Sequence, residues 1–321
     1  MKSDEWYDRF LETLLKVYPK KAQLIEKLIE LLSIERGAVY RRLRKEIPFS
    51  FYEIVKIASE WDISLDNISG IHSGKITFFM QPINYVDPSK QDLSFLKYVI
   101  QSINLLKDFP DAEFMDICNK LPRQLYAGFK HLYQFYLFKW KYEYTIDKKV
   151  IPFSKFMISK EKSLLITDYY RAIKNVPQTN FIFDRLLFDN LLSEVLYFYS
   201  IRMITCQEKE LIKTDLYALL DYLWEVATNG YYPETKNKVN LYISNLNVNT
   251  NYSYTYTNQA NICFVHVFDK YEIYTYHPEM VLNFKSWMQL KKRASYQISE
   301  VDEKSKIEYF SKQRKLVDTL L

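Results

Sequence analysis

Glycine is scarce in this chain of 321 residues, which contains only five of them. They stand at positions 37, 70, 74, 128 and 230. A G-x-x-x-x-G-K-[ST] loop or a G-x-G-x-x-G turn needs glycines at fixed short spacing, because the backbone must approach a phosphate closely. The observed spacing excludes nucleotide chemistry by both routes. The G-x-S-x-G pattern of a hydrolase nucleophile is also missing. An enzyme is therefore not expected, although residues 238–321 leave that question open.

Cysteine and histidine are also few. Cys118, Cys206 and Cys263 are odd in number and widely spaced, which predicts free thiols rather than disulfides. The four histidines form no H-E-x-x-H pair or similar ligand spacing. We therefore expect neither a metal nor another cofactor.

Long uncharged apolar runs are absent as well. The richest stretch, LLFDNLLSEVLYFYSIRMI at 186–204, contains Asp189, Glu194 and Arg202, which is typical of a buried helix. The first residues, MKSDEWYDRF, contain acids where a signal peptide has a basic and then an apolar segment. These features predict a cytoplasmic protein without a membrane partner.

The first seventy residues have the pattern of five short helices. Apolar residues recur at three- and four-residue steps, and Pro19 separates the first two helices. Ser33 interrupts the apolar run and is predicted to cap the start of a third helix that continues through Lys45. Ser50 and Glu53 have the spacing of a capping box, which predicts the start of a fourth helix.

The stretch GAVYRRLRKE, residues 37–46, combines small residues with four cations. At about 100° per residue, Val39 and Leu43 point to the same side of a helix and are expected to be buried. The opposite side contains Gly37, Ala38, Arg41, Arg44 and Lys45. Residues 1–70 contain 12 Lys and Arg against 12 Asp and Glu. Any positive field therefore belongs to this helix and its immediate flanks.

The segment LIELLSIERGAVYRRLRKEIPFSFYEIVKIASEWDISLDNI, residues 28–68, resembles the lambda-repressor/Cro-like helix-turn-helix family. Ile34 and Val39 stand where that family keeps two buried aliphatic residues around the start of its recognition helix. Ile29 and Ser33 depart from the pattern, because the family usually has Ala and Gly there. The resemblance covers about residues 5–70. It implies a five-helix DNA-binding bundle with a recognition helix at 35–45 in the major groove of double-stranded DNA.

The predicted recognition helix supplies the candidate DNA contacts. Arg41 and Arg44 suit bidentate contacts to guanine or phosphate, and Gly37 permits close approach of the helix. Tyr40 suits a phosphate or a thymine methyl group, and Arg42 suits a phosphate. The candidate DNA-binding residues are Arg36, Gly37, Tyr40, Arg41, Arg42, Arg44 and Lys45. A surface helix whose cations pair with acids such as Glu26, Glu30 or Glu53 would show the same pattern.

Residues 71–321 predict a mainly helical fold with a smaller α+β end. Residues 71–90 are expected to form a linker. Residues 91–237 show helical spacing, which predicts a large helical region. Residues 238–321 are expected to form an α+β tail, packed with the helical region and containing a short antiparallel sheet.

Individual elements of this part follow from local patterns. Helices are predicted near 91–107, 122–144, 160–174, 184–205 and 207–228. Strands are predicted at 238–246, 262–268 and 271–276. Asp269 and Lys270 are expected to form the turn of a hairpin, and the polar loop at 245–261 is expected to be mobile unless something binds it.

Two functions of different classes remain open at this point. The first is a DNA-binding transcriptional regulator that acts as a homodimer. Its C-terminal region would dimerise, sense a small-molecule or protein effector, or do both. The alternative is a protein-interaction or scaffold protein that uses the helix-turn-helix-like bundle as a docking module.

Overall fold

The computed structural model divides the chain into two compact units, Met1–Thr77 and Phe78–Leu321. The structure describes residues 5–61, 63–69, 76–80, 88–144, 151–259, 261–267, 271–299 and 303–321. None of the described helices is long and apolar enough to cross a membrane.

The first unit consists of five helices over its described residues. They are α1 (Glu5–Val17), α2 (Lys21–Leu32), α3 (Arg36–Leu43), α4 (Phe51–Glu60) and α5 (Leu65–Ser69). Phe10, Leu14, Leu24, Val39 and Ile57 are fully buried in one core. The predicted capping box at the start of α4 is confirmed, because Ser50 accepts from the Glu53 amide and Glu53 accepts from the Ser50 amide.

The two ends of α3 differ from the prediction. Ser33 does not cap α3, because its left-handed backbone (φ 54°, ψ 42°) closes α2 and its amide donates to the Ile29 carbonyl. Glu35, in an extended conformation, precedes α3 instead. The helix ends at Leu43 rather than Lys45, since Lys45 also has a positive φ of 65°. The amide of Lys45 then turns back to the Arg42 carbonyl.

Eight described strands form one mixed sheet in the second unit. They are β1 (Phe79–Met80), β2 (Glu113–Cys118), β3 (Gln178–Asp184), β4 (Lys238–Ser244), β5 (Tyr252–Tyr256), β6 (Ile262–Val267), β7 (Tyr271–Thr275) and β8 (Ser295–Gln297). The order across the sheet is β1-β7-β6-β5-β2-β3-β4-β8. Strands β2, β3 and β4 are parallel, and the other pairs are antiparallel.

Helices cover both faces of this sheet. They are α6 (Pro88–Leu106), α7 (Arg123–Tyr126), α8 (Lys130–Tyr144), α9 (Lys160–Lys174), α10 (Leu187–Ser200), α11 (Cys206–Asn229), α12 (Pro278–Arg293) and α13 (Glu303–Leu320). Side chains alternate between the two faces along β2. Phe114 and Cys118 therefore join the large core, which packs against α6 to α11 and α13. Met115 and Ile117 join a smaller core under α12.

The sheet corrects the predicted organisation of the second part. The region at 91–237 is not purely helical, because it contributes β2 and β3 to the centre of the sheet. The sheet is also mixed and eight-stranded rather than short and antiparallel. A strand with one exposed face alternates apolar and polar residues, whereas a strand buried on both faces does not. FMDIC in β2 and NFIFD in β3 therefore lack the alternation that predicts a strand.

Two smaller predictions also change. The loop predicted at 245–261 contains β5, which pairs with β2 and β6. The linker predicted at 71–90 contains β1 and the start of α6, and its remaining residues lie partly outside the described chain. Asp269 and Lys270 also lie outside it, although β6 and β7 do form the expected antiparallel pair.

Candidate functional site

Helix α3 has one buried and one exposed side, as its wheel pattern predicts. Val39 is fully buried, and Leu43 packs against the core of the first unit. On the outside, the side chains of Arg41 and Arg44 are 59% and 66% exposed. A Cβ added to Gly37 would have no atom of the described chain within 4 Å. The outer side therefore begins with an unobstructed glycine and ends with two accessible guanidinium groups.

Arg42 faces the interior of the bundle instead. Its Nη2 donates to Glu53 Oε1 at 2.8 Å and its Nε to Glu53 Oε2 at 3.1 Å. The two side chains are only 17% and 11% exposed. The predicted phosphate contact is therefore replaced by a structural role, because a guanidinium held on two sides by a mostly buried carboxylate is not available to DNA.

Acidic neighbours accompany the exposed cations of this region. Arg36 pairs with Glu26, and Lys45 pairs with Asp8. Glu46 lies 3.9 Å from both Arg41 and Arg44. All four pairs are largely exposed, and such pairs contribute about 0 to 1 kcal/mol each. A phosphate group could therefore displace these acids at little cost.

Tyr40 lies between the core and the exposed side of α3. Its ring is partly buried against the hydrophobic cluster, and the Arg44 guanidinium carbon lies 5.7 Å from the ring centroid. This contact holds Arg44 along the helix surface. Of the seven candidate DNA contacts, Gly37, Arg41 and Arg44 share one exposed side, whereas Arg36 and Lys45 flank it.

A second candidate site lies in the other unit, on the face of the sheet that packs against the large core. Strand register brings its polar residues together, because Asp116 of β2 is opposite Ser253 of β5, and Ser253 is opposite Phe264 of β6. One step further along the strands, His266 is opposite Glu272 of β7. All five side chains line one cavity of about 110 Å³.

Helices and one loop close the other side of this cavity. Tyr126 from α7, Tyr136 from α8 and Tyr169 from α9 contribute aromatic rings, and the first two stack with centroids 4.1 Å apart. The loop before α7 is held by Asn251, whose Oδ1 accepts from the amides of Asn119 and Lys120 at 2.9 and 3.2 Å. The sheet wall of the cavity therefore has two acids and His266, and the helix and loop wall has aromatic rings together with the cations Lys120, Arg123 and Lys162.

Asp116 is an acid of this cavity whose pKa is strongly shifted. Burial and then the Glu272 carboxylate raise the pKa of Asp116, His266 and a hydrogen bond with the Cys118 thiol lower it, and the net value is about 7. Its Oδ1 is buried without a hydrogen-bond partner in the described part of the chain. A buried carboxylate oxygen in this condition is costly unless a donor reaches it.

Glu272 behaves in the opposite way. Burial would raise the pKa of Glu272, but the hydrogen bond and charge of His266 and the charge of Arg123 hold it below its usual value. His266 Nδ1 lies 3.5 Å from Glu272 Oε1. The two acids of the sheet wall are therefore unequal: Glu272 stays ionised near neutral pH, whereas Asp116 is close to its midpoint.

The sequence interpretation missed this cavity. Asp116 and His266 each interrupt an apolar strand, EFMDIC and ICFVHV, and a single polar residue in such a run was the available signal. Pairing between strands far apart in sequence is what brings them together. Over the described ranges, no group of three or more His, Cys, Asp and Glu residues is arranged to hold a metal ion.

Comparison of the chain with protein-family models, with curated proteins and with solved structures found no match.

Proposed function

We propose that the protein is a DNA-binding transcriptional regulator that inserts α3 into the major groove of double-stranded DNA. The observation that supports this most is the exposed side of α3, where Gly37, Arg41 and Arg44 lie opposite the buried Val39. A glycine at the start allows close approach, and guanidinium groups suit bidentate contacts with guanine or phosphate.

The connection between α2 and α3 adds to this proposal. Three residues, Ser33 to Glu35, separate the two helices. Ser33 has a left-handed backbone at the position where the lambda-repressor/Cro-like family usually has glycine. A left-handed residue is costly for most side chains, and its presence here gives the same tight turn that glycine allows.

One recognition helix buries too little surface for specific binding, so we propose that the protein acts as a homodimer. Two copies of α3 would then contact half-sites about 34 Å apart, one turn of the double helix. In this proposal the second unit dimerises, responds to an effector, or does both.

Titration of labelled genomic DNA fragments with the full chain, followed by anisotropy at several salt concentrations, tests the proposal. The double variant Arg41→Ala, Arg44→Ala should weaken binding, and its plot of log K against log salt should be less steep by about 2, since each lost phosphate contact removes roughly 0.9 from the slope. The matched control is Arg9→Ala with Lys16→Ala on α1, which removes the same charge outside α3.

The outcomes separate cleanly. Equal losses of DNA affinity in the two double variants would indicate a general charge effect. Unchanged affinity in both would exclude α3 as the recognition helix. DNase footprinting of the bound fragments would then measure the spacing of the half-sites.

A docking module is the second candidate, because α4 exposes a local apolar patch. Phe51 and Tyr52 are 80% and 73% exposed, and Val55 lies on the same helix with 39% exposure. Solvent-facing aromatic residues at adjacent positions are typical of a protein contact surface. This candidate predicts weak, sequence-independent DNA binding at physiological salt, with no dependence on Arg41 and Arg44.

A further inference from the structure

The cavity in the second unit adjoins a buried carboxylate with an unsatisfied oxygen, as far as the described residues show. Asp116 lines this cavity of about 110 Å³, and its buried Oδ1 has no hydrogen-bond partner within the described residues. One buried water needs roughly 10 to 15 Å³ of such volume. The cavity is therefore large enough for a ligand of several non-hydrogen atoms, with a hydrogen-bond donor directed at Asp116.

The charge of the sheet wall decides which donor fits. Asp116 and Glu272 both lie on this wall, so an anionic group would be repelled there. Lys139 also lines the cavity, but it forms an ion pair with Glu194 and lies 3.9 Å from Glu143. A cationic donor would be attracted to the two acids and would satisfy Asp116 with a charge-assisted hydrogen bond.

The aromatic residues of the helix wall suit the same kind of ligand. Tyr126, Tyr136 and Tyr169 line the cavity from the helix side, and Phe264 lines it from the sheet. Aromatic faces attract ammonium groups and also pack against the apolar part of a small ligand.

We propose that this cavity binds a small organic molecule through a protonated primary amine, which donates to Asp116 while the tyrosines contact the rest of the molecule. Lys120, Arg123 and Lys162 also line the cavity, on its helix and loop side. An amino acid could place its carboxylate near these cations, whereas a simple amine would not use them. Both ligands share the amine, and the test distinguishes them. The proposal does not depend on DNA binding.

Isothermal titration calorimetry of the full chain at pH 8 tests the proposal with three probes of similar shape. These are 2-phenylethylamine, phenylalanine and 2-phenylethanol, which present an amine, a zwitterion and a neutral hydroxyl group. We expect at least one of the two amines to bind and the alcohol to bind at least tenfold more weakly. Tighter binding of phenylalanine would indicate an amino acid, and tighter binding of phenylethylamine would indicate a simple amine.

Two variants of matched chemistry make the result specific. Asp116→Asn keeps the shape of the side chain but removes the acceptor charge, and it should weaken amine binding by at least about tenfold. Asp189→Asn is the control, because Asp189 also has a buried oxygen with no partner among the described residues but lies on α10 outside the cavity. Its affinity should match that of the unaltered protein. Failure of both amines to bind at millimolar concentration, or equal binding to Asp116→Asn, would overturn the proposal.

The pH dependence of binding provides an independent measurement. The titratable groups that interact with Asp116 are Glu272 of β7, His266 of β6, Tyr169 of α9 and Cys118 of its own strand, and the charge of Arg123 of α7 acts on Glu272 and Tyr169. Because the amine binds the ionised carboxylate, its affinity should increase between about pH 6 and pH 8 and then level off. Affinity that is constant or decreases over this interval would contradict a contact with Asp116.

Discussion

The ion pair between Arg42 and Glu53 gives the sharpest stability prediction. Glu53 accepts both guanidinium hydrogen bonds and also the Ser50 amide at 2.7 Å. The substitution Glu53→Gln keeps the size of the side chain and its ability to accept from Ser50, since glutamine also completes a capping box. It removes the negative charge and leaves the Arg42 guanidinium mostly buried without a counter-ion.

The size of the effect follows from burial. Removal of one partner from a buried ion pair costs about 3 to 5 kcal/mol, and the residual exposure of this pair reduces the expected loss to about 2 to 3 kcal/mol. Loss of the cap alone, through Ser50→Ala, should cost about 1 kcal/mol. The isosteric control Glu60→Gln, at an exposed position of the same helix, should change stability by less than about 0.5 kcal/mol.

Hydrogen–deuterium exchange of peptides from α4, measured in the full chain at increasing urea, gives the free energy of unfolding of this helix. The pH dependence adds a second criterion. Burial would raise the pKa of Glu53, but hydrogen bonds from Arg42 and Ser50 and the Arg42 charge hold it below its usual value. The carboxylate therefore stabilises the fold fully above its unfolded pKa of about 4.3, and this contribution is lost as the pH falls through the lowered pKa of the folded state. The stabilities of the unaltered protein and Glu53→Gln should converge once the pH is below that lowered pKa.

A loss in Glu53→Gln no greater than that in Glu60→Gln would refute the reasoning. It would mean that the Arg42 charge is hydrated in solution and that the pair does not hold α4 against α3. Arg42 would then return to the list of candidate DNA contacts.

Two further predictions concern the second unit. In Gly128→Ala the new Cβ would lie 2.5 Å from Tyr170 Cζ, so we expect a loss of about 1 to 3 kcal/mol by urea unfolding, whereas Gly37→Ala, in open space, should be neutral or stabilising. Lys174 pairs with the half-exposed Glu234 while its Nζ lies 3.6 Å from the Tyr170 ring centroid. Glu234→Ala should therefore cost about 2 kcal/mol, because it strands a buried ammonium group, and Lys174→Met should cost less than about 1 kcal/mol. Equal losses of stability in Glu234→Ala and Lys174→Met would contradict the expectation that an unpaired buried ammonium group costs more than its removal.

Local patterns predicted the helices well. Spacing of apolar residues located α9 and α11, and the Ser50 and Glu53 pair located the start of α4, because each signal involves residues within one or two turns. The single helix predicted at 122–144 is divided into α7 and α8. The ends of α3 were predicted poorly. Both neighbouring left-handed positions are occupied by Ser33 and Lys45 rather than glycine, so the sequence contained no usual stop signal.

Long-range pairing limited the prediction of the sheet and of the cavity. Strands β2 and β3 are buried on both faces and give an apolar run without alternation, which also fits a buried helix. Asp116 approaches Ser253 and Glu272 only through the register of β2, β5, β6 and β7. No local rule connects residues so far apart, whereas Val39 and Leu43 are one helical turn apart and were placed correctly.

The two units differ in how early they can form during synthesis of the chain. The first unit is complete at Thr77 and is built from neighbouring helices, so its contacts are available early and should form quickly. In the second unit, Phe79 pairs with Tyr274 and Tyr242 pairs with Gln297. Both edges of the sheet therefore wait for the last part of the chain. A ribosome-bound intermediate would contain a folded first unit while β2 and β3 still expose apolar faces, and this interval is when the chain is most prone to aggregation.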